Sequence, residues 1–230
     1  MIKNINQISE QAFLLDFGDE ITKEINQNVI NVFNYIYNQI KKENYLDIKN
    51  CVPSYNKLLI QFNPSKKNKN EIFDFINKID IIKNEVTTND KEIEIPICYD
   101  EEFALDIRNI SKKIKIDEDI IIQSHASTNF FVYMIGFMPG LPFMGDLESN
   151  LSVPRLISPR VSVPSRSVGV VEKFCVVYPN ESPGGWNIIG RTPINFFFKD
   201  KNNPSLLNPG SDVKFRVISK KEFFELEKNI

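Results

Sequence analysis

Between residues 136 and 195 the chain places seven of its nine glycines and eight of its thirteen prolines. No other feature limits the fold as tightly. Proline denies a helix its hydrogen bond, and glycine marks tight turns or close approaches of backbone. The region is therefore predicted as short strands between turns. Apolar runs at 130–137, 168–178, 187–198 and 213–218 supply strands of an all-β barrel or sandwich.

The first 90 residues read differently. Residues 11–17 form a strand closed by Gly18, and Ile21, Ile25, Val29, Val32, Ile36 and Ile40 recur at helical spacing between Asp19 and Lys42. Strands at 46–52 and 57–62 flank a Pro53-Ser54 turn. Asn63-Pro64 opens a second helix with Ile72, Phe73, Phe75, Ile76 and Ile79 on its buried side, and a strand follows at 92–97. That β-α-β-β-α-β order is the one found in a ferredoxin-like unit. The polar stretch Asn84–Lys91 is the expected linker. Two short helices follow, one with Phe103, Ile107, Ile110 and Ile114 on a face, the other from Asp117 to Ser124. The expectation is an α+β protein, with a small α/β domain over 1–88 and a β-barrel domain over 89–230.

Composition excludes several classes of function. With 28 basic and 30 acidic residues the net charge is −2, which offers no nucleic-acid or anionic-membrane surface. No apolar run approaches the roughly 20 residues of a membrane span, and the first residues lack a signal-peptide core. A cytoplasmic protein is expected. Cys51, Cys98 and Cys175 stand far apart without a CxxC, and there is one histidine, so a disulfide framework or closed zinc site is not expected.

The 136–195 stretch also holds four of six arginines but one of 22 lysines, Lys173. Arginine is a rigid fork that grips carboxylate or phosphate in two places. Arg155, Arg160, Arg166 and Arg191 are thus candidates for an anion-binding surface, or else partners of Asp146, Glu148, Glu172 and Glu181. Prolines at 154, 159 and 164 keep the segment carrying Arg155 and Arg160 extended, leaving it little entropy to lose on binding. Gly136–Gly145 is a Gly/Pro loop without the Lys-Ser/Thr of a phosphate loop. In Tyr178-Pro-Asn-Glu-Ser-Pro-Gly-Gly-Trp186, the paired glycines admit a ligand or another backbone, and Trp186 is either a stacking platform or a core plug. His125 closes an apparent helix, as a general acid-base or as a core histidine. No GxSxG serine elbow accompanies it.

Ser124-His-Ala-Ser127, Val132–Gly145, Pro154-Arg…Pro159-Arg…Val163-Pro, Tyr178-Pro…Glu181-Ser-Pro-Gly-Gly-Trp-Asn-Ile-Ile-Gly-Arg-Thr-Pro193 and Pro209-Gly-Ser-Asp-Val-Lys-Phe215 occur in that order. Together they resemble the B-type subunit of the bacterial ATP-dependent 5-oxoprolinase, also called the KipI or allophanate-hydrolase-subunit-1 family. The resemblance implies a cyclophilin-like barrel behind a small α/β domain. It also implies two partners, a homologous C-type subunit together with an A-type one, and ATP and Mg held mainly by or with them. The implied reaction opens 5-oxo-L-proline to L-glutamate. On that reading His125, Arg155 and Arg160 are catalytic. Phe137, Pro139, Gly140, Tyr178, Ser182, Gly184, Gly185, Trp186 and Arg191 bind substrate. The alternative is a regulator that inhibits a sporulation-type histidine kinase. The chain departs from the family at 99–106, at Pro164-Ser-Arg-Ser-Val168 and at 171–177, where relatives carry glycine-rich runs and a Gly/Gln/Thr segment.

Overall fold

The computed structural model describes residues 1–43, 48–63, 66–79 and 92–228. The expected linker at 84–91 and the Pro64 helix start lie outside the described residues. The chain divides into two compact units, Met1–Thr88 and Asn89–Ile230.

In the first unit, strands β1 (Asn4–Ser9), β2 (Ala12–Asp16), β3 (Ile48–Pro53) and β4 (Lys57–Phe62) form an antiparallel sheet in the order β1-β2-β4-β3. Helices α1 (Lys23–Glu43) and α2 (Lys66–Asn77) carry the apolar stripes read from sequence. Val29, Val32 and Ile36 of α1 and Ile72 and Ile76 of α2 join Phe13, Leu15, Leu58, Ile60 and Phe62 in one buried cluster. The expected strand order is corrected at both ends. An N-terminal strand pairs with β2, and the strand at 92–97 belongs to the other unit. Strand β1 has the sequence Asn-Ile-Asn-Gln-Ile-Ser and is mostly exposed, so it lacks the buried alternation that reveals a strand.

The second unit is built on seven strands. They are β5 (Ile93–Ile97), β6 (Phe130–Ile135), β7 (Pro142–Gly145), β9 (Ser167–Val171), β10 (Phe174–Val177), β12 (Asn187–Arg191) and β13 (Asp212–Val217), ordered β12-β9-β10-β7-β6-β13-β5. All neighbours are antiparallel except β13 and β5. At the seam, Cys98 N–H donates to Arg191 O at 2.9 Å and Arg191 N–H donates to Cys98 O at 3.0 Å. The sheet therefore comes close to a closed barrel. Helices α3 (Ile107–Ile114) and α4 (Glu118–Ser127) add Ile107, Ile110 and Ile121 to its interior cluster.

Alternation along the strands places Val168, Val170, Cys175, Val177 and Ile189 in that interior. Their neighbours Val171, Val176, Tyr178 and Ile188 point the other way and join Leu141, Val163 and Trp186 in a second cluster. A two-stranded ribbon, β8 (Arg160–Val163) and β11 (Ser182–Gly184), supplies Val163 to this outer layer. Helix α5 (Lys220–Glu227) ends the described chain.

Candidate functional site

The proline-stiffened segment runs beside Gly185 and the start of β12, where Asn187 stands. Asn187 Nδ2 donates to Pro154 O at 2.9 Å and to Val170 O at 3.1 Å. Leu156 N–H donates to Gly185 O at 2.9 Å. Arg155 sits between these two anchors, with its side chain exposed and no carboxylate of the described residues paired with it. Five residues on, Arg160 opens β8 opposite Gly184.

Arg160 is not paired with any of its sequence-local acids. Its Nη2 donates to Asp106 Oδ1 at 2.5 Å, while Asp106 Oδ2 accepts from Ile188 N–H at 2.6 Å. Asp106 is 3% exposed. Nη1 of Arg160 is buried and has no acceptor among the described residues. Glu181 accepts instead from Ser162, Glu148 from Ser124, and Asp146 from Tyr133 and Lys173. Sequence reasoning missed Asp106. An acidic residue just before an amphipathic helix looks like a cap, and nothing local points to an arginine 54 residues away.

Tyr178 lies beneath the ribbon, buried at its ring. Burial raises its phenol pKa, while Arg155, a backbone bond to Trp186 and Arg160 act in the opposite direction. A Cβ on Gly184 would collide with the phenol oxygen, so only glycine lets the ribbon close over this ring. Gly185 faces Pro159, and Ser182 pairs with Val163. Trp186 is 9% exposed and meets Phe143 edge-on at 5.9 Å. It plugs the outer layer; it is not an open stacking platform. Phe137 and Pro139 are exposed in the β6–β7 turn, Gly140 is buried against Phe196 and Phe197, and the adjoining Met138 and Leu141 pack in the Tyr178–Trp186 cluster.

Two expected participants belong elsewhere. Arg191 donates through Nε to Ser165 O at 2.9 Å and lies over the rings of Phe103 and Phe223. Burial, then neighbouring Arg166, lowers its pKa. Arg166 is itself held by Pro193 O and Glu227. Both arginines therefore fasten α5 to the barrel seam, and Arg191 stands apart from the Asp106–Arg160 pair. His125 is wholly buried, with Nδ1 2.7 Å from the Tyr99 hydroxyl and Nε2 3.4 Å from Cys175 Sγ. The rings of Phe130 and Phe215 pack on it, and burial lowers its pKa to about 3. A proton relay needs an open path and a ring that titrates near neutrality. His125 has neither in this structure, where its ring sits in the core hydrogen-bonded to Tyr99. Burial likewise raises the Cys175 thiol, and lifts Cys51 to about 12, which keeps both protonated and inert.

The sequence profile of the carboxyltransferase domain, subdomain C and D, matches residues 3–207. The chain belongs to this carboxyltransferase-domain family. Among its relatives, the B subunit of 5-oxoprolinase from Bacillus subtilis is 31% identical over 95% of this chain and 94% of its own length. The solved structure of TTHA0988 superposes with a TM-score of 0.80 at 25% identity, covering 90% of this chain but 40% of that one. An uncharacterized Pyrococcus horikoshii protein, PH0987, is 36% identical, with a TM-score of 0.57 and coverage of 96% and 100%. In this carboxyltransferase-type chain the departure at 99–106 still delivers Asp106 to Arg160, and the one at 171–177 forms the β9–β10 hairpin.

Proposed function

We propose that the chain is the B-type subunit of an ATP-dependent 5-oxoprolinase-type hydrolase, working with a homologous C-type and an A-type subunit to open 5-oxo-L-proline to L-glutamate. The observation that carries this reading is the end-to-end similarity to a protein named as the B subunit of 5-oxoprolinase, 31% identical over 95% of the chain. A lactam is a poor electrophile in water. ATP, when bound, would supply the phosphoryl group that activates the lactam carbonyl carbon, so that water can add there and the ring C–N bond can break with the nitrogen leaving as the amine. The arginine pair at 155 and 160 fits one compact oxyanion, and the sequence has no Lys-Ser/Thr phosphate loop. The nucleotide and its Mg are therefore assigned mainly to the partner subunits. This chain contributes cations near the reacting group, where charge develops.

Reconstitution tests the proposal. The chain is combined with the C-type and A-type subunits, and glutamate and ADP release from 5-oxoproline is followed while each protein is omitted in turn. Turnover that disappears without this chain is the expected result. Turnover that persists without it overturns the proposal, and failure to form any complex moves the reading to the histidine-kinase regulator.

A further inference from the structure

We propose that Asp106 is a positioning residue. It turns Arg160 so that this guanidinium, together with that of Arg155, grips one compact oxyanion, a carboxylate or a phosphoryl group. The identity of the reacting ligand rests on the 5-oxoprolinase reading; the existence of the oxyanion site does not.

Aspartate is among the favoured helix caps, and Asp106 occupies the N-cap of α3, yet its side chain makes no cap bond there. Both oxygens are committed elsewhere, one to Arg160 Nη2 and one to Ile188 N–H. The carboxylate leaves its own helix uncapped and ties a guanidinium on the ribbon to the barrel wall. Such a bond fixes the direction in which the rest of the fork points. Nη1 of that fork is buried without an acceptor among the described residues. Buried N–H groups on a cation are costly to leave unpaired, so the arrangement fits an acceptor that comes with a ligand.

A structural ion pair would need one arginine for one aspartate. Here a second guanidinium, Arg155, stands by without an acid, held between the bonds at Pro154 and Leu156. Arg160 pairs with Gly184 and the residue after Arg155 bonds to Gly185, so both arginines flank the glycine pair that lies against the Tyr178 hydroxyl. Two forks and a hydroxyl beside a single committed carboxylate recognise an oxyanion, not a neutral amide.

The test has two arms. In the first, Trp186, the sole tryptophan, reports binding to the chain alone by fluorescence. A saturable change with 5-oxoproline or with inorganic phosphate is expected, and none with 2-pyrrolidinone, the same lactam without its carboxylate. Which anion saturates separates the carboxylate source from the phosphoryl source. Asp106→Asn keeps an acceptor for Ile188 N–H but removes the charge facing Arg160, and is expected to weaken half-saturation about 10- to 100-fold. Arg155→Ala, at an exposed position, is expected to remove the response even if the aspartate variant folds poorly. In the second arm the reconstituted complex is assayed. Asp106→Asn should raise KM by a similar factor with a smaller change in kcat, and should add nothing to Arg160→Ala in the double variant. An equal response to 2-pyrrolidinone, an unchanged response in both variants, or a fully additive double variant overturns the inference. A wild-type complex that does not turn over 5-oxoproline defeats the reaction reading alone, because the fluorescence arm still decides the oxyanion site.

Discussion

Lowering the pH from 7 to 4.5 is expected to destabilise the protein by about 2–3 kcal/mol through His125 alone. Two effects compete at this residue. It stands in the last turn of α4, where the helix dipole favours a charged ring by about 0.3–1 kcal/mol. Burial among Phe130, Phe215 and Cys175 opposes the charge and lowers the pKa from its usual 6.5 to about 3. That fall corresponds to about 5 kcal/mol, so burial wins. The unfolded chain binds a proton below about 6.5, and the folded chain does not until about 3. Stability held above pH 6.5 is therefore lost as the pH falls, by up to about 1.4 kcal/mol per pH unit between those values. Carboxylates titrate in the same range, so the assay compares two proteins. Urea unfolding of wild type and His125→Gln at pH 7 and 4.5 should show the variant losing about 2–3 kcal/mol less across the interval. As the only histidine, His125 also gives a single imidazole signal in proton NMR, which should stay neutral down to pH 5 in the folded state. Equal losses in the two proteins, or a folded-state midpoint near 6.5, would refute the reasoning.

Gly184→Ala should cost about 1–3 kcal/mol in urea unfolding, because its Cβ meets the buried Tyr178 ring; an unchanged midpoint would show that the ring is free to move. Gly190→Ala should cost a similar amount, since its Cβ falls 2.9 Å from Cys98 O at the barrel seam. Glu227→Gln should lower stability by about 1–3 kcal/mol, between the values for exposed and buried pairs, with little relief from added salt. A fully salt-sensitive loss in thermal melts would contradict the half-buried placement of Arg166.

Sequence pattern was informative where one periodicity dominated. The isoleucine and valine spacing of α1 announces a helix because every third or fourth residue is buried against the sheet. Strand β7 was hidden inside a Gly/Pro loop: Pro142 and Gly145 bracket only Phe143 and Met144, too few residues to show alternation. The strand at 92–97 was legible, but its sheet was not, because pairing with β13 is a long-range event that local sequence does not encode. The site followed the same division. Arginine enrichment drew attention to Arg155 and Arg160, and the structure sets both beside the Gly184-Gly185 pair of the ribbon. Which arginines are bound by acids depended on Asp106 and Glu227, each far away along the chain. His125 looked like chemistry by its rarity, and its burial could not be read from the residues beside it.

The parallel pairing of Ile93–Ile97 with Val213–Val217 also sets an order of events in time. On the ribosome, the N-terminal sheet has all four strands by Phe62, so its pairings, including that of β2 with β4 across α1 and β3, can close early. Strand β5 emerges soon after, but its neighbour β13 follows only after β6 to β12 have been made. Until β13 appears, β5 and β6 each present an unpaired edge, and the barrel seam at Cys98 cannot be held in register. The second unit thus folds only once β13 has been made, and is exposed until then to edge-to-edge association. A chain truncated before Asp212 would keep that hazard permanently.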